Sequence, residues 1–381
     1  MKRLVWLVAA MGLLWGLLPF GALAQGPEVS AKSAVLMEVS TGKLLCAQNE
    51  SVPLPPASVT KIMTLLLVME ALDSGKITWE DTVTASETAA AKGGSQVYLK
   101  AGETMSVTDM VKAIAVSSAN DCACAMAEHL AGSEEAFVQQ MNARAKELGM
   151  ENTHFVNCTG LDDGPEGKQH LTTALDIALM SRELLLHHPK IKDFTTIWMD
   201  TLRGGTFGLS NTNKLVRFYS GCTGLKTGFT QGAGYCLSAS AARDGMELIA
   251  VVMGCDSSKT RFAACKSLLD HGFANYATVT PEAVREDVPV VLGKAPSVGA
   301  VPSQLTPLLI DKGQKSSVTT QVQLEEAVEA PVAKGQRLGT LTVKAGEQIL
   351  AQIPLVAEEP VEKKNFWDLF AQMLRKIAMA E

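Results

Sequence analysis

The sequence lacks the marks of several chemistries. It has no His-Glu-x-x-His, and its six histidines are scattered without the paired spacing a metal site needs. No Gly-x-Ser-x-Gly elbow occurs, which removes the usual presentation of a Ser-His-Asp hydrolase nucleophile. There is no basic surplus: the net charge is -6, so nucleic acid is not an expected partner. A disulfide framework is missing too, although eight cysteines are present. Cys122 and Cys124 fall in an apolar helical stretch, Cys236 and Cys255 in apolar strands and Cys265 in a helix. A chain of 381 residues buries enough surface to need no staples. The cysteines therefore read as mostly free, buried thiols, with Cys158 and Cys222 at more exposed positions.

What is present begins with an export pattern. Lys2 and Arg3 precede an apolar run from Leu4 to Leu18, and small residues follow at Ala22 and Ala24. This predicts a signal peptide over residues 1–24, cleaved after Ala24. The mature protein is then expected outside the cytoplasm, at the outer face of the membrane or in the cell wall or periplasm.

The remainder divides by composition. Ser33 to Val39 alternates like a strand, Ser40-Thr41-Gly42-Lys43 reads as a turn, and Leu44 to Gln48 returns. A long apolar helix follows, ending near Ser74-Gly75, and a short strand is predicted at Gln96-Val97-Tyr98-Leu99. Ser106 is placed to cap the next helix. Further helices are predicted over 120–131, 133–148 and 172–187, with an irregular polar loop at 151–171. Asp244-Gly245 between two apolar runs predicts a second hairpin, and 258–276 a last helix. A region that opens and closes with hairpins and is helical between them predicts an antiparallel sheet flanked by helices, with its chain ends side by side. We assign it residues 25–277. Residues 278–356 are rich in Val, Thr, Pro and Gly and predict a small all-β domain.

Residues 357–381 form a linker and tail. Phe366, Trp367, Leu369, Phe370, Met373, Leu374 and Ile377 fall on one half of a helical wheel, and Lys364, Asp368, Gln372, Arg375 and Lys376 on the other. At 1.5 Å per residue such a helix is about 20 Å long, too short to span a bilayer. It fits a helix lying on a membrane surface through residues 363–378.

Three short motifs carry chemistry. In Pro55-Pro56-Ala57-Ser58-Val59-Thr60-Lys61, prolines introduce a helix start and place Ser58 one turn before Lys61. A serine hydroxyl needs a neighbouring base to become a nucleophile. A lysine amine serves as that base when burial lowers its pKa, and the apolar run after Lys61 can supply the burial. Ser118-Ala119-Asn120 lies between two helical stretches, where a hydroxyl and an amide can point into one cleft. Lys226-Thr227-Gly228 offers a cation, a hydroxyl and close backbone approach on a sheet edge.

Together, in this order, they resemble the Ser-x-x-Lys, Ser-x-Asn and Lys-Thr-Gly set of penicillin-binding proteins and β-lactamases. The longer segments Leu148-Gly149-Met150-Glu151-Asn152-Thr153-His154-Phe155, Lys226-Thr227-Gly228-Phe229-Thr230 and Ala233-Gly234-Tyr235-Cys236-Leu237 are similar to the serine-type D-Ala-D-Ala carboxypeptidases. The resemblance implies an α/β (α+β) transpeptidase-like domain, a small C-terminal β domain and an amphipathic membrane tail. It implies cleavage of the terminal D-Ala from peptidoglycan stem pentapeptides and covalent inhibition by β-lactam antibiotics. It further implies Ser58 as nucleophile, Lys61 as general base and Ser118 as proton relay, steadied by Lys226. Asn120 would orient the substrate amide, and Thr227 and Arg261 would bind the terminal carboxylate. Gly228 would give close approach, and the N–H groups of Ser58 and Phe229 an oxyanion hole. No metal or cofactor is implied. Thr223 before Gly224, and Thr212 in Asn211-Thr212-Asn213, depart from the family's Asp-Gly and arginine and bear on substrate preference.

Two alternatives share these residues. A serine β-lactamase needs a carboxylate that activates water, and no Glu-x-x-Leu-Asn element lies between Asn120 and Lys226. A non-catalytic envelope-binding protein with this fold is opposed by the intact Ser58, Lys61, Ser118, Asn120 and Lys226.

Overall fold

The computed structural model describes residues 26–162, 167 and 169–378. The predicted signal peptide lies outside the described residues.

The chain opens with the expected hairpin, β1 (Ser33–Glu38) and β2 (Leu44–Gln48). Pro55 and Pro56 lead into a 3-10 turn over Ala57–Thr60 and then α1 (Lys61–Asp73). Ser58 and Lys61 therefore lie in consecutive helical turns of different pitch rather than in one α-helix. Helix α1 is buried nearly all round, with Ile62, Met63, Leu65, Leu66, Val68 and Met69 in the core. Each such side chain contributes about 1.5–3 kcal/mol on leaving water. Gly75 ends the helix at φ +71°, a conformation glycine adopts without steric cost.

A small ladder follows, β3 (Thr82–Thr84) with β4 (Thr104–Ser106). Ser106 caps α2 (Val107–Ser117), its Oγ accepting the Asp109 N–H at 3.1 Å. Helices α3 (Asn120–Ala131), α4 (Glu134–Glu147) and α5 (Ala174–His187) complete the helical layer. A hairpin that sequence periodicity did not indicate, β5 (Met199–Leu202) with β6 (Phe207–Ser210), precedes the last three strands. These are β7 (Cys222–Thr230), β8 (Gly234–Arg243) and β9 (Met246–Cys255), followed by α6 (Ser258–Asn275).

The main sheet has the order β2-β1-β9-β8-β7 and is antiparallel throughout. Strands β1 and β9 pair with Val35 opposite Val251, so the two ends of the domain do meet. Strand alternation separates two cores. Val35, Met37, Ile249 and Val251 pack on the helical layer, whereas Ala34, Leu36, Leu248 and Ala250 pack against Cys265, Leu268 and Leu269 of α6. The sheet is thus the middle of three layers, and β7, its edge strand, borders the helical layer near the 3-10 turn.

The C-terminal region is all-β. Strands β10 (Tyr276–Val279) and β13 (Leu308–Asp311) pair with each other. A six-stranded sheet contains β11 (Glu286–Val291), β12 (Ser297–Pro302), β14 (Val318–Leu324), β15 (Val328–Glu329), β16 (Arg337–Ala345) and β17 (Gln348–Ala357), in the order β14-β16-β17-β12-β11-β15. Val288, Leu338, Leu341, Val343 and Leu355 form its core. Helix α7 (Phe366–Ala378) ends the described chain.

Two expectations need correction. Gln96–Leu99 is not a strand: the Val97 and Leu99 N–H groups donate to the Asp121 carboxylate at 3.1 and 3.0 Å, so a side chain takes the place of a partner strand. Cys158 is fully buried, because its stretch of the loop folds against α1, where the Thr64 hydroxyl donates to the Cys158 carbonyl at 2.6 Å. Cys222 is half-buried, and all eight cysteines are free.

Candidate active site

Three stretches far apart in sequence converge between the helical layer and β7. The first is the 3-10 turn. Ala57 has φ +50°, an unusual value for a residue with a side chain. Ser58 follows it, and Lys61 Nζ stands 3.0 Å from Ser58 Oγ. Lys61 is fully buried, and Nζ also donates to the Thr159 carbonyl at 2.8 Å. Burial lowers its pKa from 10.5 to about 7, against smaller upward pulls from Cys158 and Asp121. A large fraction of the amine is therefore neutral near pH 7.

The second stretch is the α2–α3 junction. Ser118 sits at φ +63° and breaks the helix, and α3 starts at Asn120. Asn120 Nδ2 donates to Gly93 O at 2.7 Å and its backbone N–H to Ser95 O at 2.7 Å, which ties the 92–99 loop to this corner. Among the described residues, Ser118 Oγ and Asn120 Oδ1 are buried polar atoms with no hydrogen-bond partner. Buried polar atoms are nearly always satisfied, so two orphans at one corner mark a place built for a polar group from outside.

The third stretch is the edge strand. Lys226 is buried and donates to the Thr227 carbonyl at 2.9 Å. Burial pushes its pKa well below the usual lysine value, and the charges of Lys61 and Arg261 push the same way. Lys226 makes no hydrogen bond to Ser118, whose Oγ has no partner among the described residues. Thr227 Oγ1 donates to Thr212 Oγ1 at 2.7 Å. A Cβ on Gly228 would lie 2.6 Å from Pro56 O and 3.2 Å from the Ser58 nitrogen, so only glycine lets β7 approach the Ser58 turn this closely. Phe229 is half-exposed at the lip, its ring centroid 4.3 Å from that of Tyr235.

Arg261 lies on α6, beneath β7. Its Nη1 donates to Gly228 O at 2.9 Å and Cys236 O at 3.3 Å, while Nε is a buried orphan. The guanidinium therefore holds the β7 backbone from behind.

Sequence reasoning missed the support of Lys61. Asn157 Oδ1 accepts the N–H of Thr159 at 3.1 Å and that of Gly160 at 2.6 Å, and Asn157 Nδ2 donates to Leu161 O at 2.8 Å. This closed turn presents the Thr159 carbonyl to Lys61. The only sequence signal was an Asn two residues before Thr-Gly, an ordinary turn composition.

The arrangement offers a hydroxyl beside a partly neutral amine, a second hydroxyl and an amide opposite, and the buried basic side chains of Lys226 and Arg261 at the β7 wall. That suits acyl transfer from a substrate carrying a carboxylate. Comparison with known proteins agrees. A family described as D-alanyl-D-alanine carboxypeptidase matches residues 21–257, and one described as penicillin-binding protein 5, C-terminal domain, matches residues 276–363. The chain is 46% identical over 344 residues to the D-alanyl-D-alanine carboxypeptidase DacF of Bacillus subtilis, covering 88% of this chain and 87% of that one. Among solved structures it is similar to penicillin binding protein 5 from Haemophilus influenzae, with TM-score 0.76, 32% identity, and 89% and 99% of the two chains covered. Penicillin-binding protein D2 from Listeria monocytogenes, solved in its ampicillin-bound form, matches with TM-score 0.59 and 34% identity over 65% of this chain and 100% of that one. The protein belongs to the D-alanyl-D-alanine carboxypeptidase family, the penicillin-binding serine hydrolases of peptidoglycan metabolism.

Proposed function

We propose that Ser58 Oγ attacks the carbonyl carbon of the penultimate D-Ala of a stem pentapeptide. Neutral Lys61 takes the hydroxyl proton as the bond forms. The backbone N–H groups of Ser58 and Phe229 receive the oxyanion. Ser118 passes a proton to the departing amine, so that D-Ala leaves and an ester to Ser58 remains. Water then cleaves the ester and releases the shortened peptide. Asn120 aligns the substrate amide. Lys226 and Thr227 attract the terminal carboxylate, with Arg261 adding positive field from behind the strand. A β-lactam, with its strained amide and its own carboxylate, acylates Ser58 by the same path.

The observation that carries this reading is the buried Lys61 amine at 3.0 Å from Ser58 Oγ with its pKa brought to about 7. The test is mass spectrometry of pentapeptide muropeptides after incubation. Loss of one D-Ala supports the reading, whereas unchanged muropeptides together with penicillin labelling of Ser58→Ala would overturn it.

The same proposal divides the chain into a signal peptide (1–24), a catalytic domain (25–277), a β domain (278–356) and a linker with a membrane-surface helix (357–381). The helix is supported by Phe366, Trp367, Phe370 and Met373, all exposed on α7. Among the described residues no helix is long and apolar enough to cross a membrane. Export and attachment by this helix would hold the enzyme against the outer face of the cytoplasmic membrane, beside its peptidoglycan substrate.

A further inference from the structure

We propose that His170 is a positioning residue for the oxyanion hole, acting through Thr60 on the peptide bond that joins Ala57 to the nucleophile. The inference rests on the proposed role of Ser58. His170 is buried behind the 3-10 turn, on the loop that leads into α5. The Val156 N–H donates to its Nδ1 at 3.1 Å, so the ring proton resides on Nε2. Nε2–H in turn donates to Thr60 Oγ1 at 2.8 Å. The Thr60 hydroxyl proton is then committed to the Ala57 carbonyl, also at 2.8 Å. The chain of donors runs one way, from Val156 through His170 and Thr60 to Ala57.

Its end point matters because a trans peptide is planar and its C=O and N–H point in opposite directions. Anchoring the Ala57 carbonyl inward turns the Ser58 N–H outward into the cleft. The anchor is needed, since Ala57 at φ +50° does not hold that orientation by its own preference. The remaining wall is Gly160, where a Cβ would fall 1.8 Å from Ala57 O and 2.7 Å from Thr60 Oγ1. Nothing larger than glycine fits while this carbonyl is so placed. Burial also keeps the imidazole neutral, which preserves the single tautomer the chain requires.

The test is acylation of the full chain by benzylpenicillin, using Thr60→Val, His170→Ala and His170→Gln. Thr60→Val keeps the shape and loses the hydroxyl; His170→Gln keeps an N–H near the Nε2 position. Thr60→Val and His170→Ala should slow the acylation step by roughly tenfold to a hundredfold, with the dissociation constant of the pre-covalent complex unchanged. His170→Gln should recover most of the rate, and the double variant should be no slower than the worse single one. The ester carbonyl stretch of the penicilloyl-enzyme, read by isotope-edited infrared spectroscopy, should rise in both slow variants as the oxyanion-hole donors polarise it less. Wild-type acylation rate and carbonyl frequency in Thr60→Val would overturn the proposal, even if His170→Ala does not fold. So would losses confined to melting temperature or to pre-covalent binding. Penicillin labelling of Ser58→Ala tests the underlying assignment separately.

Discussion

Lys61 Nζ donates to the carbonyl oxygen of Thr159, a neutral acceptor 98 residues away, and among the described residues no carboxylate is a hydrogen-bond partner of this amine. A carboxylate there would stabilise the ammonium and raise its pKa. A backbone carbonyl fixes the amine beside Ser58 while leaving burial to set the pKa, which is how a lysine becomes a base near neutral pH.

Acylation by a fluorescent penicillin should therefore depend on pH. The folded pKa of Lys61 is lowered to about 7, so the neutral amine gains as pH rises through that value. The acylation rate should climb about tenfold per pH unit below pH 7 and level off above it, as expected for one essential base. Lys61→Ala should remove the slope and slow acylation by roughly 10²–10⁴-fold. A flat profile in the parent enzyme would exclude Lys61 as the base.

Asn157→Ala should loosen the turn that presents Thr159. It frees the N–H groups of Thr159 and Gly160 and the Leu161 carbonyl. A loss of about 1–3 kcal/mol in denaturant unfolding is expected, together with slower acylation as Lys61 loses its anchor. Unfolding and stopped-flow labelling of the same sample would read both effects, and loss of stability with an unaltered acylation rate would show that the turn does not position Lys61.

Mild acid should destabilise the protein through His170. Burial lowers its folded pKa from 6.5 to about 4, with His154 and Lys61 adding to the effect. Between those values the unfolded chain binds a proton that the folded chain refuses, so stability falls as pH drops from about 6.5 to 4. The loss approaches about 3 kcal/mol at the lower end. His170→Gln should flatten that part of the stability–pH curve; an unchanged curve would assign the acid sensitivity to other groups.

Membrane attachment should reside in α7. Cosedimentation with anionic phospholipid vesicles should be lost on deletion of residues 363–378 and weakened by Trp367→Ala with Phe370→Ala, which remove two exposed aromatic rings. Retained binding after the deletion would place the attachment elsewhere.

Much of the architecture was legible because its signals are local. Asp244-Gly245 between apolar runs, the alternation of β1 and the cap at Ser106 each act within a few residues. The three motifs proposed to carry the chemistry were legible because each keeps its residues in a short span. The short β3–β4 and β5–β6 ladders were not, since strands of three or four residues carry too little alternation to read. Tyr98 shows the converse: β-type residues around it suggested a strand, but the buried Asp121 carboxylate collected the neighbouring N–H groups.

The sequence by itself determined that a serine and a lysine would lie one turn apart at a helix start backed by apolar residues. That follows from backbone pitch and hydrophobic pattern, both local. Tertiary structure alone decided whether that lysine could act as a base. The amine's burial, the Thr159 carbonyl that holds it, the glycine-permitted approach of β7 and the His170–Thr60 chain behind Ala57 all depend on residues roughly 100 or more positions away. Desolvation and hydrogen-bond direction are properties of assembled surroundings, and no window of sequence contains them.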